Sequence, residues 1–199
     1  MRRLGVAGAL LLASCAGAPK GNRAEDYLPL REAWKGTYRS GEKDAQPIEI
    51  RPASPRGKVW LIDLSRFYPG GQYGLLVTDE ERGLLLHAVP LGASVAKLDP
   101  PQILLPRSLE EGTGWAFTAM TRGAGDIDIR VVGQPRLEPI AVSGHDRRAR
   151  RLEVEMKSRL STQSWVFWLS PGEGIVRFEG GAGDLRGVWD LVEGRTTGG

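Results

Sequence analysis

Two histidines, His87 and His145, are the whole of the chain's imidazole, and Cys15 is its single cysteine. A zinc set of Cys and His ligands cannot be assembled from them. Ser143-Gly144-His145-Asp146 brings a hydroxyl, an imidazole and a carboxylate into four consecutive residues, the ingredients of an acyl-transfer triad. The strained Gly-x-Ser-x-Gly elbow that exposes such a serine is missing, because the nearest approach, Gly92-Ala93-Ser94-Val95-Ala96, ends in alanine. The segment reads as a turn. Asp126 and Asp128 stand two apart, as on one strand face, and would suit calcium only with a distal glutamate in loop spacing, so a solvated strand edge is the reading. The glycines of 180–187 (GGAGDLRG) are followed by a strand pattern and not by the helix a phosphate cradle needs, and they read as a hairpin turn. Arg147-Arg148-Ala149-Arg150-Arg151 is the densest positive charge and would suit anionic head groups, but reads first as a solvated turn entering a strand. No aromatics interleave it for base stacking. No catalytic, cofactor-binding or metal-binding residue is assigned, no cofactor is implied, and the chain is read as a non-enzyme.

The thiol of Cys15 has a chemistry of its own. Residues 1–15, MRRLGVAGALLLASC, open with Arg2 and Arg3, continue with an apolar run of about ten residues from Leu4 to Ala13, and close on small residues before the cysteine. The run is too short to span a bilayer. Leu12-Ala13-Ser14-Cys15 resembles the lipobox of bacterial lipoproteins, in which cleavage falls between the residues here numbered Ser14 and Cys15, diacylglycerol joins the thiol, and the new amino group is acylated. A lone cysteine in an exported chain has no intramolecular disulfide partner, which agrees with this use. Two or three acyl chains make the attachment effectively permanent. Ala16 in place of aspartate implies, by the same resemblance, sorting to the outer membrane. Without Arg2 and Arg3 the count falls from 27 basic and 24 acidic residues to 25 and 24, a net charge of +1, so charge gives no argument for nucleic acid.

The elements that would position any site are strands. Arg151 to Lys157 alternates Leu, Val and Met with charges, and 163–169 (QSWVFWL) is its hairpin partner. Further strands are expected at 34–39, 48–51, 58–63, 73–78, 84–89, 114–121, 127–132, 139–142, 175–179 and within 184–192, each bounded by Gly, Pro, Asp or Ser. Pro29 breaks the helical composition of 23–34 and predicts an extended lead-in. Asp99 to Pro106, with its three prolines, is expected to cross one end as a lid or to link two halves. Trp165 and Trp168, three apart on a strand, must point to opposite faces, while Trp34, Trp60, Trp115 and Trp189 are assigned to the core. The fold class is all-β: an antiparallel meander curled into a barrel, half-barrel or sandwich, with little helix. The division is a signal peptide (1–14), lipidated Cys15 and a flexible tether to 26, one β-rich domain over 27–194, and a tail over 195–199.

Three short motifs, in order, carry a family likeness. Tyr27-Leu28-Pro29-Leu30 with Trp34 and Tyr38, the Pro-rich stretch from Pro100 to Trp115, and Trp165 to Arg177 (WVFWLSPGEGIVR) resemble a group of uncharacterised bacterial lipoproteins. The resemblance covers most of 27–179. Ala33, where that group has a nearby glycine, departs from it. It implies an antiparallel β-rich envelope lipoprotein and brings no catalytic residues.

The function expected from these residues is that of an exported protein, held by its lipid on the periplasmic face of the outer membrane, that binds an apolar ligand or an envelope protein. A structural subunit using an exposed sheet edge for strand addition is the alternative, and an envelope hydrolase the third. Changing Cys15→Ala is expected to leave the chain uncleaved or soluble; metabolic acyl labelling that persists in this variant would refute the anchor.

Overall fold

The computed structural model describes residues 22–196, apart from 29, 56, 111, 122–126 and 160. Ser14 and Cys15, and with them the cleavage and lipid sites, lie outside the described residues, as does Asp126. Alternation makes the strands. In β10 (His145–Lys157) Leu152, Val154 and Met156 are buried while Glu153 and Glu155 between them are half-exposed. The order of strands runs through β1 (Trp34–Arg39), β2 (Gln46–Pro52), β3 (Trp60–Asp63), β4 (Gln72–Glu80), β5 (Gly83–Gly92) and β6 (Ser94–Pro106). It continues through β7 (Trp115–Met120), β8 (Asp128–Gly133), β9 (Glu138–Val142), β11 (Thr162–Ser170), β12 (Gly174–Gly180) and β13 (Gly187–Thr196).

Every pair is antiparallel, and twelve strands follow one path, β6-β5-β4-β3-β2-β1-β13-β12-β11-β10-β8-β7, with β9 added to β10. The chain is thus all-β with a sheet curled nearly into a barrel, as its pattern predicts. The seam lies between β6 and β7, where Trp115 Nε1 donates to the Leu104 carbonyl at 2.8 Å. Trp165 points into the core and Trp168 outward, between the guanidinium groups of Arg151 and Arg177 at 6.0 and 5.8 Å. Trp189 is fully buried, whereas Trp34, Trp60 and Trp115 are only partly so.

Both ends of the barrel are stoppered. At one end a single helical turn, α1 (Ala24–Tyr27), sends Leu28 inside. At the other, the 3-10 turn Ser65–Phe67 packs Phe67 edge-on against Phe178 and Trp189, at 5.0 and 5.1 Å between ring centroids. Between Leu28, Ile62, Leu75, Leu104, Leu152 and Phe167 the free space is about 10 Å³, no more than one water.

Five expectations are corrected. The Asp99–Pro106 stretch is neither lid nor link but the end of an edge strand. Lys97 pairs with Ala88 and Gln102 with Leu86, so Pro100 and Pro101 sit in a bulge opposite His87, on an edge where a missing N–H costs no ladder bond. The Arg147–Arg151 run is not a solvated turn, because β9 pairs with β10 from His145 and draws all five residues into the strand. The folded body starts before Tyr27: Leu109 N donates to Asn22 O at 2.7 Å, Arg23 bridges to Ser108, and Ala24 is fully buried. The lead-in over 24–27 is helical, and β13 continues past 194 to Thr196.

Arg150 is the residue whose role the pattern concealed. Its side chain is 2% exposed, and no carboxylate lies within ion-pair distance among the described residues. The guanidinium donates instead to Gln134 O at 2.9 Å, Leu109 O at 3.2 Å and the Tyr27 hydroxyl at 3.4 Å, and lies 5.8 Å from the Tyr27 ring centre. A planar fork can bond three groups on three sides at once, which an ammonium on a flexible stem does poorly. Arg150→Met would leave these acceptors buried without that donor, at about 1–3 kcal/mol each before relaxation. Unfolding in urea is expected to show a loss of about 3–5 kcal/mol; a change under about 0.5 kcal/mol would place the variant among neutral surface substitutions and exclude this role.

Candidate functional site

The ladder between β12 and β13 stops early. It pairs Gly180 with Gly187 and ends at Arg177 and Asp190, although β13 runs on for six residues alongside β1. A bulge explains the parting: Thr37 pairs with Glu193 and Tyr38 with Leu191, so Val192 is the extra residue and lies 53% exposed. The split is closed off by side chains and is not a frayed end. Tyr38, wholly buried on β1, donates its hydroxyl to Ile175 O of β12 at 2.5 Å, and burial pushes its phenol well above the usual range. Ser143 donates to Leu191 O of β13 at 2.9 Å. Arg177 reaches from its 2.5 Å contact with Asp190 to Ala141 O at 2.7 Å, and so holds the β9–β10 hairpin across the same split.

A cleft opens there. It measures about 380 Å³, with Trp34, Ile50 and Leu191 as its apolar part, the β11–β12 turn at Gly172–Gly174 as one wall and Leu191–Thr196 as the other. Arg147 and Glu173 pair across its rim at 2.7 Å. A second hollow of about 280 Å³ adjoins it through Trp34, Ile50 and Arg195, flanked by the Lys35–Glu49 pair at 2.8 Å. Arg51, also in that wall, holds Asp63 at 2.9 Å; burial pushes the Asp63 carboxyl up, but hydrogen bonds from Ser65 and Arg51 bring it below the usual range.

The Trp34 indole lies on glycine. A Cβ at Gly36 would stand 2.3 Å from Trp34 Cη2, and one at its strand partner Gly194 would stand 3.1 Å from Cζ2, so only a bare backbone admits the ring. Among the described residues Trp34 Nε1–H has no acceptor. The cleft therefore offers an aromatic face, one free N–H, a run of main chain without a neighbour on one side, and charges of both signs.

The other expected positions do not gather. Ser143 and Gly144 form the tip of the β9–β10 hairpin, and the Ser143 hydroxyl is occupied by Leu191. His145 and Asp146 are exposed on β10, and Asp128 is exposed at the start of β8. The 180–187 glycines form a hairpin containing a three-residue 3-10 turn, where Gly181 N donates to the Tyr68 hydroxyl at 2.8 Å. His87 does meet a hydroxyl and an acid: Thr78 Oγ1 lies 2.7 Å from its Nε2 and 2.8 Å from Glu80 Oε1. With its one proton given to the carboxylate, Thr78 accepts from His87, the reverse of an activated nucleophile. A hollow of about 150 Å³ at the other end holds the unpartnered Gln163 Oε1 and has room for a few waters.

No family model matches the chain, and no curated protein matches it. Among solved structures it is similar to the crystal structure of the hypothetical lipoprotein YmcC from Escherichia coli K12, with 13% identity and a TM-score of 0.33 over 86% of this chain and 88% of that one. The three segments on which a family likeness is expected meet in space. Tyr27, Trp34 and Tyr38 from the first, Leu109 from the second, and Gly174 and Ile175 from the third surround Arg150 and the cleft. Sequence reading placed Trp34 in the core and found no cleft, because a register shift between β1 and β13 leaves no mark on alternation.

Gly36→Ala is expected to cost about 1–3 kcal/mol and to expel the Trp34 ring. The check is tryptophan emission compared between this variant and Gly36→Ala with Trp34→Phe. A red shift present in the first and absent in the second reports the displaced ring; equal spectra would refute the contact.

Proposed function

We propose that this chain is a lipid-anchored lipoprotein of the bacterial envelope, attached through Cys15 to the periplasmic face of the outer membrane, which works without catalysis by binding an envelope protein. The lipobox-like Leu12-Ala13-Ser14-Cys15 segment supports the anchor. One observation favours a protein partner over an apolar cargo: the interior between Leu28, Leu75 and Phe167 leaves only about 10 Å³, while a cleft of about 380 Å³ lies at an end, beside main chain that is unpaired among the described residues. Barrels of this kind either fill with side chains or hold a ligand. α1 and Leu28 occupy the position a lipid chain would enter.

The end that carries the cleft is the end from which the tether leaves. Gly172 N, in the cleft wall, donates to Asp26 O of α1 at 2.7 Å. Six residues lie between Asn22 and the acylated position, seven peptide steps with a contour of at most about 24 Å, so the cleft works close to the bilayer. Neither hydrolase chemistry nor nucleic-acid binding draws support from the Ser143, His145 or Arg147–Arg151 positions.

The full lipidated chain, purified in detergent from its own envelope, is expected to yield on denaturation and solvent extraction no stoichiometric lipid beyond its own acyl groups. In situ, photo-crosslinking amino acids placed over the surface are expected to yield a discrete protein adduct. A recurrent extracted lipid at one per chain would overturn this reading in favour of a carrier.

A further inference from the structure

We infer that the cleft accepts an extended peptide segment of the protein partner as an added strand on the free edge of β13. This rests on the protein-binding reading above and deepens it by naming the surface and the form of the partner. Main chain without a ladder neighbour is what an incoming strand recognises, since N–H and C=O groups supply affinity whatever the side chains. Glu193–Thr196 pair with β1 on one side, with the bulged Val192 just before them, and these five residues have, among the described residues, no strand on the other. Five residues offer about 16 Å of edge.

The arrangement around the edge argues against an accident of fraying. The two carbonyls just past the last rung, Ile175 O and Leu191 O, are each taken by a side-chain hydroxyl, from Tyr38 and Ser143. These bonds end the β12–β13 ladder and hold the walls apart. Ser143 makes its bond at φ +49°, a left-handed conformation disfavoured for a residue with a side chain. Glycine would adopt it more readily but has no hydroxyl for Leu191. Beneath the edge, Trp34 and Ile50 form an apolar floor for the inward-pointing side chains of a bound strand. The charged Glu193 and Arg195 discourage indiscriminate pairing. The segment that fits is therefore extended, four to six residues long, with an apolar residue over Trp34 and an acceptor within reach of its free N–H.

The test uses the full lipidated chain in nanodiscs and two acetylated, amidated probes: the heptapeptide Lys-Thr-Val-Thr-Val-Thr-Lys and its twin carrying N-methyl groups on alternate residues, which cannot complete a ladder. At millimolar concentration the first is expected to slow amide exchange across 192–196 about tenfold, and the second to leave it unchanged. Ser143→Gly keeps the turn but removes one of the two bonds that hold the walls apart, so protection by the first probe is expected to weaken severalfold; undiminished protection would overturn the role given to that bond. Equal protection by both probes, or by neither, overturns strand addition. A crosslinker at Val192 that captures the same partner protein in the envelope supports it. Capture from Val95, on β6, but never from Val192 overturns the cleft while leaving the protein-binding reading intact, and capture from no position overturns both.

Discussion

A single buried cation holds together the end of the molecule where its interest lies. Among the described residues Arg150 takes no carboxylate as partner and directs its fork to two carbonyls and a phenol from three distant segments. Isolated burial of a charge is unfavourable, so the position persists only if those acceptors stay in place, and in staying they fix the lead-in, the β6–β7 connection and the β8–β9 connection against one another. α1 is too short to be stable alone, and it is helical because Arg150 and the wall at Gly172 hold its residues. The stopper at that end, with Leu28 set against the small hollow in the core, follows from this one contact.

Each end of the barrel is closed by its own side chains. Phe67, Trp189 and Phe178 seal one end with edge-to-face aromatic packing, and the other is sealed by Leu28. What distinguishes the second end is that its strands differ in length. β13 and the start of β10 outrun their neighbours β12 and β11, and each unpaired extension has acquired a different cover: β9 pairs with β10, while β13 is flanked by a cleft. Ser143, at the tip of the hairpin that covers one, is bonded to the carbonyl at the margin of the other.

Much of the scaffold was legible because alternation is a local property. Leu152, Val154 and Met156 announce their face of β10, and the opposite orientations of Trp165 and Trp168 follow from parity alone. What escaped was whatever depends on a partner far along the chain. Pro100 and Pro101 signal a break only until β5 is seen to leave them opposite a single residue, His87. Arg150 looks like its neighbours in a basic run, and its burial follows from where Tyr27, Leu109 and Gln134 come to lie. The cleft is the extreme case: its floor is a tryptophan that composition assigns to a core, and it is exposed by a one-residue shift at Val192 between strands from the two ends of the chain.

That last pairing constrains the order in which the molecule can be assembled. β1 has β2 on one side and β13 on the other, and Trp34 stands opposite Thr196. The hairpins from β2 to β6 and from β8 to β12 can form as each appears, since their contacts are between neighbours in sequence. The strand ladder joins the two arcs through β13, so the curled sheet stays an open pair of half-shells until β13 has arrived, and its completion carries the entropy of closing a loop nearly as long as the folded chain. A chain made from its first strand onward would remain unlocked until β13 had been added, and loss of β13 would leave two exposed apolar sheets in place of one shortened barrel.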